Sequence, residues 1–120
     1  MSVLYIVDDN ELVRETLQEL MEKTTSFVVR SFSSGQDFLD NVGDDACCLI
    51  LDLKMPGLSG FDVLAELEKR GLTIPTIIIS GHLDNLPPER SLPSFVRKFF
   101  QKPFPTGELV ETVRSLVGGP

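Results

Sequence analysis

The sequence predicts a doubly wound α/β fold, in which helices cover both faces of a single five-stranded parallel sheet. Five short apolar runs occur along the chain, and helical patterns separate most of them. Runs that are apolar at every position are typical of parallel strands buried on both faces. A chain of 120 residues is long enough for only one compact domain, which we place at residues 1–120.

In the first half of the chain, strands are predicted at residues 3–7, 27–32 and 47–51, and a short helix at 35–42. Asp9 or Asn10 can cap a helix between the first two strands. The inward stripe of that helix is predicted from the spacing of its apolar residues, and its solvent face from the polar ones. The stripe comprises Leu12, Val13, Leu17, Leu20 and Met21, and the solvent face Arg14, Glu15, Gln18 and Glu19.

In the second half, a helix is predicted at residues 61–70, with Val63, Leu64 and Leu67 inward and Gly71 as its stop. Strands follow at 76–79 and 96–101. A last helix begins near Thr106, with Leu109, Val110, Val113, Leu116 and Val117 as its buried stripe.

A proline-rich segment interrupts this pattern between residues 81 and 94. It contains Pro87, Pro88 and Pro93, and a proline inside a helix costs about 3 kcal/mol. We therefore expect the fourth of five helices to be short, displaced or absent, and residues 86–95 to be mobile or non-helical.

Composition excludes several classes of function. Eleven Lys and Arg against eighteen Asp and Glu give a net charge of −7, which disfavours direct binding of nucleic acid or anionic membranes. The apolar runs are too short for a signal or membrane segment, so a cytoplasmic location is expected. The only cysteines, Cys47 and Cys48, are adjacent, which fits core positions of a reduced protein better than a disulfide or zinc site.

Polar residues follow four of the apolar runs: Asp8 and Asp9, then Asp52, Ser80 and Lys102. In a parallel sheet these positions share one edge. Carboxylates about 5 Å apart repel by roughly 3 kcal/mol per pair at an effective dielectric constant near 20, so a cation is required. Mg²⁺ suits such oxygen ligands, Asp is a competent nucleophile, and an ammonium and a hydroxyl can bind a phosphoryl group. The pattern favours phosphoryl transfer.

Four segments, YIVDDN, LILDLKMPGLSG, IPTIIISGH and KFFQKPF, resemble the receiver domains of bacterial two-component response regulators over nearly the whole chain. MPGLSG, ISGHLD and FFQKPF are most similar to the FixJ subgroup. The resemblance implies a CheY-like, flavodoxin-like sheet with strand order 2-1-3-4-5.

The same resemblance implies roles for the acidic residues and the lysines. Asp52 would accept a phosphoryl group from the phosphohistidine of a sensor kinase or phosphotransfer protein. Asp9 and Asp52 would bind Mg²⁺, with Asp8 acting through water and the Lys54 backbone carbonyl as a further ligand. Lys102 would bind the phosphoryl group. The domain would phosphorylate and dephosphorylate itself without being a metabolic enzyme.

The resemblance also implies a switch. Ser80 would follow the phosphoryl group inward and free the space into which Phe99 rotates. Lys54 and His82 would tune hydrolysis, and without metal the Lys54 ammonium is expected to lean into the acidic pocket. A homodimer partner or a downstream effector would read the region 86–117.

Simpler interpretations remain open for each residue. The acidic run at 8–10 could be a helix cap, Asp52 a turn former and Ser80 part of a loop. Lys102 could be a solvated strand end and Phe99 a core residue. His82 could be an ordinary loop residue.

Two other functions also remain open. One is a receiver-shaped binding module that acts independently of phosphorylation. The other is an aspartyl-phosphate hydrolase of the haloacid dehalogenase type. The hydrolase is disfavoured because the pattern of such enzymes has a second Asp two residues after the nucleophile. In this sequence that position is Lys54.

Overall fold

The computed structural model describes residues 2–81 and 91–117, and the chain forms five strands and four helices within them. The elements are β1 (Val3–Val7), α1 (Glu11–Thr24), β2 (Val28–Phe32), α2 (Gly35–Asn41), β3 (Ala46–Asp52), α3 (Gly60–Lys69), β4 (Thr76–Ser80), β5 (Val96–Gln101) and α4 (Thr106–Leu116).

The five strands form one sheet in the order β2-β1-β3-β4-β5, and every pair is parallel. This confirms the predicted fold class and strand order. Because all strands run the same way, the residues that follow β1, β3, β4 and β5 lie at the carboxyl edge of the sheet. Strand order reverses between β1 and β3, which is where ligands bind in sheets of this type.

The core has two layers because successive strand residues point to opposite faces. One face packs against α2 and α3, and the other against α1 and α4. The predicted inward residues of α3 and α4 are confirmed as buried or partly buried core residues. They are Val63, Leu64 and Leu67 of α3, and Leu109, Val110, Val113, Leu116 and Val117 at α4 and its end.

The placement of Leu12 in the inward stripe of α1 was wrong, because its side chain is 72% exposed. Leu12 lies in the first turn of α1, at the carboxyl edge. Its neighbours there include Pro103 and Phe104 from the loop after β5. The remaining stripe residues do pack into the core.

The cysteines occupy core positions, as predicted. Both are free, Cys48 is fully buried and Cys47 is half-buried. Burial raises the pKa of the Cys48 thiol to about 12, so this side chain stays protonated at neutral pH.

The predicted irregularity of the fourth helix falls on residues 82–90, which lie outside the described part of the chain. So do residues 86–90, which are half of the segment 86–95. Its described end forms a turn in which the Val96 N–H donates to the Pro93 carbonyl at 3.0 Å, and Phe95 is buried. Of the helices in residues 2–81 and 91–117, none has the length and apolar character needed to span a bilayer.

Candidate metal and phosphoryl site

Three carboxylates meet at the carboxyl edge of the sheet. Asp8 and Asp9 follow β1, and Asp52 ends the neighbouring strand β3. Each offers an oxygen within 4.8 Å of the other two. Asp8 is fully buried and Asp52 nearly so, whereas Asp9 is exposed. The structure therefore brings together the three carboxylates for which mutual repulsion was predicted from the sequence.

Asp8 is the most constrained of the three acids. Its backbone N–H donates to the Phe32 carbonyl at 3.2 Å. Its Oδ1 accepts the Asn10 backbone N–H at 2.8 Å, and its Oδ2 accepts the Lys102 ammonium at 2.9 Å. Both carboxylate oxygens of this buried acid are thus bound within the protein, which satisfies the requirement for burying a charge.

The Lys102 ammonium is the cation that contacts the buried acids. It lies 2.9 Å from Asp8 Oδ2 and 3.6 Å from Asp52 Oδ2. Its backbone N–H donates to the Ser80 carbonyl at 2.7 Å, which extends the pairing of β5 with β4 and fixes where the side chain starts. Lys102 therefore offsets part of the negative charge of the site.

Asp52 is difficult to ionise in this environment. Burial, followed by the nearby Asp8 charge, raises the pKa of the Asp52 carboxyl to about 6. The Lys102 ammonium and the Lys54 backbone N–H oppose this rise. One lysine does not compensate three acids, so a further cation is favoured.

The position of Asp52 is fixed by the loop after β3, because the backbone at Gly60 lies against the backbone of Asp52 and Leu53. The Gly60 N–H donates to the Leu53 carbonyl at 2.9 Å. A Cβ at Gly60 would lie 2.6 Å from the Asp52 carbonyl oxygen and 2.8 Å from the Leu53 Cα, distances that side chains do not tolerate. Gly60 was not predicted from the sequence to be a site residue. The turn between β3 and α3, which ends at Gly60, is nevertheless visible in the sequence.

The other predicted site residues differ in burial and in their place in the fold. Ser80, the last residue of β4, is fully buried at the same edge, and Phe99 is half-buried against the core. The Lys54 side chain is exposed, and among the ion pairs of the described residues it is Lys102 that reaches Asp8 and Asp52. His82 lies outside the described residues.

Arg14 was wrongly assigned to the solvent face of α1. It is half-buried, and its Nη1 donates to the Asp8 backbone carbonyl at 2.8 Å. This contact could have been predicted from the position of Arg14 in the first turn after the Asn10 cap, since its long side chain can reach the loop that precedes the helix.

The donor set fits Mg²⁺. Three carboxylates within 4.8 Å provide hard oxygen ligands, and the exposure of Asp9 leaves room for the waters that Mg²⁺ retains. When bound, the ion would neutralise charge on the acids and on a transferring phosphoryl group.

Comparison with known proteins agrees with this geometry. The sequence profile of the response regulator receiver domain matches residues 4–114. The response regulator protein TmoT of Ectopseudomonas mendocina is 43% identical over 115 residues, covering 95% of this chain and 52% of TmoT. The transcriptional regulatory protein FixJ of Azorhizobium caulinodans is 33% identical, covering 96% of this chain and 54% of FixJ. The chain spans about half the length of these curated relatives.

Solved structures show the same fold. The response regulator StyR superposes with a TM-score of 0.88 at 28% identity, covering 98% of this chain and 59% of StyR. The response regulator TrrA of Thermotoga maritima, in complex with Mg²⁺ and BeF, superposes with a TM-score of 0.78 at 26% identity, covering 97% and 99% of the two chains. The profile match, the identities and the acidic pocket show that this chain belongs to the response regulator receiver domain family, the phosphoacceptor domains of two-component signalling.

Proposed function

We propose that this domain is a switch in which Asp52 accepts a phosphoryl group from the phosphohistidine of a sensor kinase or phosphotransfer protein, with Mg²⁺ bound at the acidic cluster. The observation that carries the proposal is the set of three carboxylates within 4.8 Å, faced by the Lys102 ammonium. A structural salt bridge needs one acid and one base, whereas this site has an excess of acids.

In the proposed reaction an Asp52 carboxylate oxygen forms a bond to phosphorus while the phosphorus–nitrogen bond of phosphohistidine breaks. The imidazole leaves with the electron pair of that bond, and an acyl phosphate remains on Asp52. Asp9, Asp52 and the Lys54 carbonyl would hold Mg²⁺ directly and Asp8 through water. Hydrolysis by water would reset the switch, with Lys54 and His82 tuning its rate.

Lys102 would exchange partners during this reaction. Its ammonium now pairs with Asp8 and lies 3.6 Å from Asp52, so a phosphoryl oxygen on Asp52 would lie within its reach. Charge-assisted hydrogen bonds of this type contribute about 1.5–3 kcal/mol each.

The proposed readout involves Ser80 and Phe99. Ser80 is buried at the end of β4, and Phe99 lies on the neighbouring strand β5, where it pairs with Ile78. A bond from the Ser80 hydroxyl to the phosphoryl group would exist only in the phosphorylated state. Such a state-specific contact can shift Phe99 between two positions.

An apolar groove beside the site supports docking of the phosphoryl donor. It is lined by Leu12, Val13, Pro103 and Phe104, and it includes Lys102. Because the groove shares Lys102 with the acidic cluster, a protein seated there would present its phosphohistidine to Asp52. Leu12→Asp should slow transfer from a phosphorylated histidine kinase and leave labelling by acetyl phosphate unchanged. Equal loss with both donors would argue against docking at this groove.

Output through a further partner is favoured, because the net charge of −7 disfavours direct binding of nucleic acid. We propose that an effector region or a second copy of the chain contacts the region 86–117. The proposed location of the protein is the cytoplasm, where sensor kinases present their phosphohistidine.

Intact-mass analysis tests the proposal. The protein is incubated with acetyl phosphate and Mg²⁺, and we expect the added mass of one phosphoryl group. Asp52→Asn or addition of EDTA should abolish the added mass. Labelling that persists in Asp52→Asn would assign the acceptor to another residue. No labelling of the folded wild type would favour the binding module that acts without phosphorylation.

A further inference from the structure

We infer that Arg14 is a positioning residue that fixes the peptide between Asp8 and Asp9 and thereby presents the Asp9 carboxylate to Mg²⁺. The inference depends on the proposed function, because it concerns the same metal site. Its starting point is the hydrogen bond from Arg14 Nη1 to the Asp8 carbonyl oxygen at 2.8 Å, made by a half-buried side chain.

The other atoms of Asp8 are already held. Its N–H donates to Phe32, and its carboxylate oxygens accept from Asn10 and Lys102. What these contacts leave undetermined is the orientation of the peptide plane that leads to Asp9. The carbonyl oxygen of Asp8 lies in that plane, so a donor at this oxygen fixes its rotation.

Asp9 depends on that plane because its own side chain is not otherwise held. Its carboxylate is exposed, and across residues 2–81 and 91–117 no hydrogen bond or ion pair reaches it. One of its oxygens nevertheless lies within 4.8 Å of oxygens of Asp8 and Asp52. The backbone that Arg14 holds is therefore the element that keeps Asp9 at the cluster.

The charge of Arg14 and its hydrogen bond to the backbone predict opposite effects on Mg²⁺ affinity when the side chain is removed. A guanidinium near a cation site repels Mg²⁺, so removing a residue that acted only through its charge would strengthen Mg²⁺ binding. Removing a residue that positions a ligand weakens binding, and outer-shell partners of metal ligands typically contribute 10–100-fold in affinity. The sign of the change separates the two roles.

The experiment measures Mg²⁺ affinity by isothermal titration calorimetry on the unphosphorylated protein. Arg14→Ala should weaken Mg²⁺ binding by about tenfold or more. Arg114→Ala is the matched control, because Arg114 Nη2 also donates to a backbone carbonyl, that of Thr24 at 2.7 Å, at the opposite end of α1. Its Mg²⁺ affinity should equal that of the wild type. Circular dichroism in EDTA confirms that each variant is folded.

A double-mutant cycle with Asp9→Asn tests whether Arg14 acts through Asp9. In the Asp9→Asn background, Arg14→Ala should change Mg²⁺ affinity by less than about twofold. Unchanged or tighter Mg²⁺ binding by Arg14→Ala would overturn the inference, as would an equal loss in both backgrounds. A wild type that does not bind Mg²⁺ would instead overturn the proposed function.

Discussion

At the scale of single residues, the acids of the site differ because their surroundings differ. Both carboxylate oxygens of Asp8 accept hydrogen bonds, one from Asn10 and one from Lys102, whereas Asp9 is exposed to solvent. Asp52 is buried with a pKa raised to about 6. The acid that we assign as nucleophile is therefore one whose charge is poorly stabilised in the metal-free protein.

Asp52→Asn should stabilise the metal-free protein above pH 6. The folded pKa of about 6 exceeds the ordinary value of 3.8, so the folded state disfavours the charged form and loses stability as pH rises from about 4 through 6. The asparagine variant avoids this loss, which amounts to about 3 kcal/mol at neutral pH. Urea unfolding in EDTA at pH 5 to 8 should show a difference that narrows toward low pH. A difference independent of pH would contradict this cause.

Lys102→Met should destabilise the metal-free protein and strengthen Mg²⁺ binding. The substitution removes the ammonium that neutralises Asp8 and that, 3.6 Å from Asp52 Oδ2, repels a cation bound at the same cluster. We expect a loss of about 1–3 kcal/mol in EDTA, below the range for fully buried pairs because Lys102 is partly exposed. Unfolding with and without Mg²⁺ measures both effects. Lys23→Met is the control, since the Lys23–Glu19 pair is exposed. Equal stability of Lys102→Met and wild type in EDTA would refute the role of Lys102.

Several site residues could be predicted because polar side chains that follow apolar strands of a parallel sheet must share an edge. Asp8, Asp9, Asp52 and Lys102 were found in this way. Arg14 was missed because a helical pattern shows which face a residue occupies but not whether its long side chain turns back toward the preceding loop.

At the scale of elements, the junction of β3 and α3 determines where Asp52 lies. Ser59 caps α3 through a reciprocal pair of bonds with Asp62. Gly60 lets the start of the helix lie against the backbone of Asp52 and Leu53. The helix that follows the site is thus fixed directly to the strand that carries the acceptor.

Gly60→Ala should destabilise the protein and impair phosphorylation together. The added methyl group would clash with backbone atoms of Asp52 and Leu53, which cannot rotate away as a side chain can. Overpacking of this kind costs about 1–3 kcal/mol. Gly107→Ala is the matched control, because a Cβ at Gly107 would meet nothing within 4 Å. Urea unfolding and acetyl phosphate labelling rates measure the two effects. Wild-type labelling by Gly60→Ala would show that this contact does not position Asp52.

Element boundaries were predicted to within a residue or two because their signals are local. Asn10, one of the two predicted caps, accepts a hydrogen bond from the Val13 N–H, and Gly71 adopts a positive φ of 73° after α3. Leu12 was misassigned because helical periodicity does not reveal where the sheet beneath a helix ends.

At the scale of the whole molecule, the parallel order of the sheet brings distant parts of the chain to one site. The Lys102–Asp8 bond joins residues 94 positions apart. Alternation of strands and helices predicts this topology, since right-handed crossovers leave few alternatives. The distances among the acids could not be predicted, because they depend on side-chain packing at the edge of the sheet.

Mg²⁺ should stabilise the folded domain as a whole. A ligand that binds only the folded state at a concentration about 100 times its Kd adds about 2.7 kcal/mol to the free energy of unfolding. Thermal unfolding should therefore shift upward by several degrees in Mg²⁺. Asp9→Asn should reduce the shift at the same Mg²⁺ concentration, and K⁺ at matched ionic strength should not reproduce it. A shift of equal size with K⁺ would indicate screening of the net negative charge rather than a site.

The most direct test of the account is a crystal structure of the protein with Mg²⁺ and beryllofluoride. We expect beryllium bonded to an Asp52 carboxylate oxygen, Mg²⁺ held by Asp9, Asp52 and the Lys54 carbonyl, and the Lys102 ammonium moved from Asp8 to a fluoride. A structure with beryllofluoride and Mg²⁺ absent from the acidic cluster, and Lys102 still paired with Asp8, would contradict it.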